Sequence, residues 1–180
     1  GAKVTEALSE WGRALDPELL REAANGEPHH LVCVVHAETS TGVLQEVGPV
    51  KEVADELGAM LLLDCVTSVG GLRVSLDEWG VDAAYSGTQK CLGCPPGLSP
   101  VSFSARAQAT LEAREHAVQS WYLDLSMIAN YWGSERAYHH TAPINMLYGL
   151  HEALRLVCPK HFCAPTGLIA FLTHFELNRC

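Results

Sequence analysis

Two apolar segments that stop at charged residues constrain the fold of this chain more than any other feature. Residues 60–66 have the sequence MLLLDCV and reach a carboxylate at Asp64. Residues 83–90 have the sequence AAYSGTQK and end at Lys90. Short apolar runs bounded by polar residues are typical of strands buried on both faces, as in a parallel sheet. Because ligands of open α/β sheets lie beyond the carboxyl ends of the strands, we expect Asp64 and Lys90 to face one crevice.

A lysine and an aspartate at neighbouring strand ends favour the chemistry of pyridoxal phosphate. That cofactor needs a lysine amine for its Schiff base. It also needs a carboxylate beside its pyridine nitrogen, since a protonated ring withdraws electrons from the substrate carbanion. The ordinary alternative is a partly exposed lysine and an aspartate that caps the following segment. Spacing alone leaves both interpretations open.

Composition excludes several classes of partner. The chain has 180 residues, of which 48% are hydrophobic, enough for one sizeable domain. A formal net charge of -9 argues against nucleic acid or an anionic membrane as partner. Seven cysteines, an odd number, favour reduced thiols. We therefore expect an intracellular protein, first of all cytoplasmic, with the peroxisome and the mitochondrion as alternatives.

Metal binding has weak support in the sequence. The segment 91–94 is a C-x-x-C motif, but Cys158 and Cys163 make a poor second ligand pair for zinc. Adjacent histidines such as His139 and His140 do not easily point the same way. We therefore expect no metal site, and we interpret the histidine loop as one that faces an anion at a helix start.

Helical and strand-like segments alternate along the chain, which predicts an α/β fold. Asp16, Pro17 and the pair Asn25–Gly26 predict the start and the end of the first helix. Strands are predicted to end near His36, at Asp64 and before Lys90, with helical links between them. Further elements are predicted at 50–57 (helix), 100–103 (strand), 105–116 (helix), 121–132 (helix) and 144–157 (helix).

Four segments resemble, in order and spacing, the successive motifs of class V aminotransferases. They are residues 36–45, 64–71, 85–90 and 138–141. The resemblance is greatest to the alanine–glyoxylate and serine–glyoxylate (serine–pyruvate) group. It implies the large domain of the fold type I pyridoxal-phosphate enzymes, with a mostly parallel sheet flanked by helices. We expect residues 1–157 to form an incomplete domain of this kind and residues 158–180 to be an atypical tail.

The resemblance assigns roles to five residues at the strand ends. Lys90 is similar to the Schiff-base lysine, which also moves a proton once it is freed. Asp64 is placed beside the pyridine nitrogen of pyridoxal 5'-phosphate, and Val66 against one face of its ring. Thr39 is placed near the phenolic oxygen of the ring, where relatives usually have serine. Gln89 is placed at the phosphate.

The resemblance also implies a partner and a reaction. The positions of Tyr138 and Thr141 reach, in relatives, the phosphate of the neighbouring subunit's cofactor, which implies a homodimer with shared active sites. The implied reaction is a ping-pong transamination. It would exchange the amino group of alanine or serine with glyoxylate or pyruvate.

Two alternatives to an active aminotransferase remain. One is a catalytically inactive fragment that retains the fold and the dimer contacts. It is favoured because the chain has no arginine that matches the family's carboxylate-binding residue; Arg73, Arg136 and Arg155 are expected on the surface. The other is a cysteine desulfurase-like lyase with the same cofactor. That enzyme needs a mobile nucleophilic cysteine, and Cys91 and Cys94 lie in the wrong segment for it.

Overall fold

A four-stranded sheet organises the protein in this computed structural model, which describes residues 2–134 and 137–157. The strands lie in the order β1-β2-β3-β4. The first three pair in parallel, and β4 pairs antiparallel to β3. The predicted α/β fold with a mostly parallel sheet is confirmed. The strands are β1 (Leu31–Val35), β2 (Met60–Asp64), β3 (Ala83–Tyr85) and β4 (Val101–Phe103).

Five α-helices flank or follow these strands within the described residues. The Asp16 side chain caps the first helix by accepting a hydrogen bond from the backbone N–H of Glu18 at 3.0 Å. Asn25 ends that helix in the left-handed conformation, with φ of 50°. None of these helices is long and apolar enough to cross a membrane. The helices are α1 (Pro17–Ala24), α2 (Val47–Glu56), α3 (Ala105–Glu112), α4 (Leu125–Trp132) and α5 (Ile144–Val157), with a 3-10 turn at Trp121–Leu123.

The connection between β2 and β3 contains turns and no α-helix. The sequence predicts helical links between the strands, with one short helical turn at 76–80 in this connection, and residues 65–82 contain a single turn at that place. The backbone N–H of Val81 donates to the carbonyl of Leu76 at 2.9 Å and closes the single turn at 76–80. Gly80 has a φ of 65°, outside the helical range, so the turn stops before a second one can form.

The core lies on one face of the sheet. Val32, Leu61 and Leu63 point into it and are at most 7% exposed. On the opposite face Leu31 and Val35 are 45% and 39% exposed. The sequence predicts burial on both faces for the strands at 60–66 and 83–90; the outer face of β2 is half-buried, and the prediction is wrong for β3, whose Tyr85 is 38% exposed. The other core members are Val47, Val50, Ala54, Ala59, Cys65, Val69, Leu76, Val81, Ala84, Leu92 and Leu150.

Candidate active site

The carboxyl ends of the three parallel strands meet at one edge of the sheet. Val35 pairs with Asp64, and Asp64 pairs with Tyr85, so the last residues of β1, β2 and β3 are in register. Asp64 is itself the last residue of β2, and the loops that follow the strands carry the other four strand-end residues predicted from the sequence. Because parallel strands all point the same way, these loops share one edge.

Both oxygens of the Asp64 carboxylate accept hydrogen bonds from within the chain. The backbone N–H of Val66 donates to Oδ1 at 2.8 Å. The hydroxyl of Tyr85 donates to Oδ2 at 2.6 Å. This hydrogen bond is the main reason that the pKa of Tyr85 is raised to about 12. Asp64 thus caps the segment after β2, as the ordinary interpretation predicts, while Oδ2 faces the neighbouring strand. Sequence reasoning did not identify Tyr85.

A hydrogen bond between two hydroxyls joins the loops that follow β1 and β2. The Oγ1 atoms of Thr39 and Thr67 lie 2.6 Å apart. The loop of Thr39 is held by Glu38, whose carboxylate accepts hydrogen bonds from the backbone N–H and the hydroxyl of Ser40 at 2.8 and 2.7 Å. These hydrogen bonds lower the pKa of Glu38. Thr67 was also missed, because its partner lies 28 positions away in the sequence.

Gly87 brings two of the predicted residues together. A Cβ atom at this buried position would lie 2.9 Å from Oε1 of Gln89 and 3.4 Å from Cγ1 of Val66. The side chains of Gln89 and Val66 therefore both lie against the backbone of Gly87. Any side chain there would displace the Gln89 amide.

Lys90 follows directly in an exposed turn. Within the described residues its ammonium forms no salt bridge. The next residue, Cys91, donates its S–H to the carbonyl of Thr67 at 3.0 Å. A Cβ atom on Gly71 would lie only 2.7 Å from Sγ of Cys91. The loop that carries Lys90 is thus packed against the loop that follows Asp64.

Tyr138 and Thr141 form a separate pair. The hydroxyl of Tyr138 and Oγ1 of Thr141 lie 2.9 Å apart, and Tyr138 is 72% exposed. The ring of Tyr138 also lies against Tyr131, with centroids 6.0 Å apart. Within the described residues, these side-chain hydrogen bonds and ring contacts do not reach the strand-end residues. A role at a neighbouring subunit's cofactor stays a prediction.

His139 has a fixed set of hydrogen bonds. Its Nε2 lies 2.8 Å from the carbonyl of Trp121, so this nitrogen donates. Its Nδ1 lies 2.7 Å from Nδ1 of His140 and therefore accepts a hydrogen bond. No cluster of three or more His, Cys, Asp or Glu in residues 2–134 and 137–157 is arranged to hold a metal.

Two of the three arginines that the sequence predicts to be exposed, Arg73 and Arg155, do lie on the surface. Arg73 pairs with Glu78, and Arg155 donates to Glu152 at 2.7 and 2.8 Å. Both arginine side chains are more than 60% exposed. Arg136 lies outside the described residues, as do Cys158, Cys163 and the predicted 158–180 tail.

A cavity of about 240 Å³ lies between the N-terminal segment and the loop that follows β1, the loop that carries Thr39. Trp11, Arg13, Glu38 and Gln45 are among the residues that line it, and none of the seven predicted cofactor residues does. The strand-end residues instead line an open edge of the sheet.

Comparison with known proteins identifies the family. The family model for aminotransferase class-V matches residues 1–164, which runs past Val157. The chain is 36% identical over 176 residues to the (S)-ureidoglycine–glyoxylate transaminase of Bacillus subtilis, covering 87% of this chain and 42% of the relative. It is 38% identical over 180 residues to the alanine–glyoxylate aminotransferase of Drosophila melanogaster, covering 98% of this chain and 44% of the relative.

A solved structure gives the same result. The alanine–glyoxylate aminotransferase of Nostoc sp. superposes with a TM-score of 0.78 at 51% identity, covering 82% of this chain and 39% of that one. The chain thus spans less than half the length of each of these three proteins. The predicted resemblance and the predicted fold are both confirmed. The chain belongs to the class-V aminotransferase family.

Proposed function

We propose that the protein takes part in pyridoxal 5'-phosphate-dependent transamination between alanine or serine and glyoxylate or pyruvate, with Lys90 as the covalent attachment point. Membership of the class-V family supports transamination. All three proteins described above are named for glyoxylate, which supports that oxo acid as acceptor. The observation that carries the proposal is the pairing of β2 with β3. It aligns Asp64 with the strand that leads into Lys90.

The residues at the strand ends fit this cofactor by their chemistry. A carboxylate at the end of β2, an amine that forms no salt bridge within the described residues, a hydroxyl and an amide lie on segments that touch one another. They belong to Asp64, Lys90, Thr39 and Gln89. The lack of a side chain at Gly87 leaves room for the Gln89 amide beside Val66. A purely structural edge would not need this donor set on three successive loops.

Each of these residues has a defined task. When bound, the cofactor supplies an electron-withdrawing ring for the substrate carbanion. Asp64 would hold the proton on the pyridine nitrogen, because an ionised carboxylate stabilises a neighbouring positive charge. Lys90 would anchor the cofactor and then accept a proton from the substrate carbon. Thr39 would donate to the ring oxygen.

The remaining residues would contribute binding and orientation. Val66 would cover one face of the ring, and Gln89 would donate to the phosphate. Tyr138 and Thr141 would donate to the phosphate bound in a second copy of the chain. That arrangement would make the homodimer the functional unit.

Absorbance spectroscopy tests the role of Lys90. Pyridoxal 5'-phosphate added to the purified protein should produce the visible absorbance of a cofactor covalently bound to lysine. The Lys90→Ala variant should lose this band, while Lys3→Ala, a substitution at an exposed lysine, should keep it. A band of equal strength in Lys90→Ala would contradict the assignment.

A panel of amino donors then separates the alternatives. Alanine and serine should each convert the bound cofactor to its aminated form, and glyoxylate should reverse the conversion. The panel should include (S)-ureidoglycine, because the Bacillus subtilis relative is named for it. Bound cofactor without conversion would favour the inactive fragment. Release of sulfide from cysteine would favour the lyase.

A further inference from the structure

We propose that Tyr85 is a positioning residue, whose hydroxyl fixes the Asp64 carboxylate for the pyridine nitrogen of the cofactor. The inference rests on the proposed function, since it concerns the same site. It begins with the strand register, because β2 and β3 pair in parallel with Asp64 opposite Tyr85. Both side chains therefore extend from the same face of the sheet.

The hydrogen bonds explain how the carboxylate is fixed. Tyr85 donates to Oδ2 at 2.6 Å, and the backbone N–H of Val66 donates to Oδ1 at 2.8 Å. With one donor on each oxygen, rotation about the Cβ–Cγ bond would break both hydrogen bonds. A carboxylate can accept about four hydrogen bonds, so Asp64 keeps acceptor capacity for the ring nitrogen.

The protonation state of Tyr85 supports the same role. The hydrogen bond to Asp64 raises the pKa of the phenol to about 12. The hydroxyl therefore stays protonated and donates throughout the neutral range. Tyr85 is also 38% exposed, so burial does not force its hydroxyl to find a partner. The hydrogen bond to Asp64 instead follows from the pairing of β2 with β3, which places the two side chains next to each other.

Ligand affinity provides the test, with pyridoxamine 5'-phosphate as the probe. This compound carries the ring nitrogen and the phosphate but needs no bond to Lys90. Tyr85→Phe removes only the hydroxyl, and we expect it to weaken binding about tenfold to 150-fold, as for the loss of a hydrogen bond to a charged group. Tyr148→Phe is the matched control, because Tyr148 is 73% exposed on α5. It should bind as tightly as the unsubstituted protein.

Two further comparisons separate positioning from a general structural effect. The 1-deaza analogue of the probe has carbon in place of the ring nitrogen, and Tyr85→Phe should not weaken its binding. In an Asp64→Asn background, Tyr85→Phe should likewise change the affinity for the probe by less than about twofold, because coupled residues are not additive. Two results would overturn the inference. One is an equal loss of affinity for the probe and for the analogue. The other is an equal loss of affinity for the probe with Asp64 and with Asn at position 64.

A measurement on the unsubstituted protein keeps the inference testable if Tyr85→Phe does not fold. NMR of ring-labelled tyrosines can follow all five tyrosines with pH. The Tyr85 signal should titrate above the ordinary tyrosine value of 10.0, and its pKa should fall when pyridoxamine 5'-phosphate shares the Asp64 charge. A pKa of Tyr85 that does not change when the probe binds would overturn this inference but not the proposed function. Failure of the unsubstituted protein to bind the probe would overturn the proposed function as well.

Discussion

The two groups of predicted cofactor residues are held in very different ways. The strand-end group (Thr39, Asp64, Val66, Gln89 and Lys90) lies at the end of β2 and on loops that share hydrogen bonds and close contacts with one another. The loop pair (Tyr138 and Thr141) bonds to itself and is exposed. The sheet therefore sets the geometry of the first group. The geometry of the second group depends on the contacts that its loop makes with other surfaces.

The first prediction tests whether the sheet sets the strand-end geometry, and it has the largest expected effect. Leu63 is fully buried beside Asp64. Leu63→Ala should lower the free energy of unfolding by about 2–5 kcal/mol, because it leaves a cavity in the core. The matched control is Leu62→Ala, on the opposite and half-buried face of β2, which should cost less than half as much. Denaturant unfolding measures both, and equal losses would contradict the one-sided core.

The second prediction sharpens the comparison by separating two of the strand-end loops. Gly71→Ala would place a Cβ atom 2.7 Å from Sγ of Cys91. Because Cys91 is exposed and can move, we expect a loss of about 1 kcal/mol in the free energy of unfolding, near the lower end for overpacked sites. The affinity for pyridoxal 5'-phosphate should fall as well, since Lys90 adjoins Cys91.

Two controls accompany this substitution. Adding Cys91→Ala removes the sulphur and should restore part of the lost stability, because the Cβ atom of residue 91 would still lie 3.1 Å from the new Cβ atom. Gly48→Ala in α2 meets no atom within 4 Å and should leave stability unchanged or slightly higher. Failure of the double variant to recover would show that the loops are not held by this contact.

The third prediction concerns pH and the histidine that directly follows β1. His36 is 5% exposed, and burial lowers its pKa from the ordinary 6.5. Below pH 6.5 the unfolded chain therefore binds a proton that the folded protein resists. The free energy of unfolding should fall as the pH decreases from that value, and His36→Gln should reduce the slope. His30→Gln, at an exposed position, should leave the slope unchanged. An identical slope in both variants would assign the effect to other groups.

Local signals in the sequence were sufficient to predict most of the elements. Asp16 and Asn25 predicted the ends of α1 because caps act over a few residues. The apolar run 31–35 predicted β1. The hydrogen bond between Tyr85 and Asp64 was not predictable in this way, since it depends on a strand register that joins residues 21 positions apart. The contact between Thr39 and Thr67 was missed for the same reason.

The burial of the sheet's outer face was predicted wrongly. The apolar runs of β2 and β3 predicted burial on both faces, yet Tyr85 is 38% exposed and the outer face of β2 is only half-buried. Periodicity reports which residues favour burial, but not whether a covering element lies within the same segment of chain. The chain spans less than half the length of the relatives described above.

The last and smallest effect on stability tests the loop pair. Tyr138→Phe removes an exposed hydroxyl whose partner is Thr141. We expect the free energy of unfolding to change by less than about 0.5 kcal/mol, as for other surface substitutions. If Tyr138 reaches a second subunit's phosphate, the variant should nevertheless bind pyridoxal 5'-phosphate about threefold to tenfold more weakly, the range for one lost hydrogen bond. Its affinity for pyridoxal, which has no phosphate, should be unchanged, and Tyr148→Phe should affect neither. A large loss of stability would instead mean that the hydroxyl supports its own loop, as the strand-end residues do.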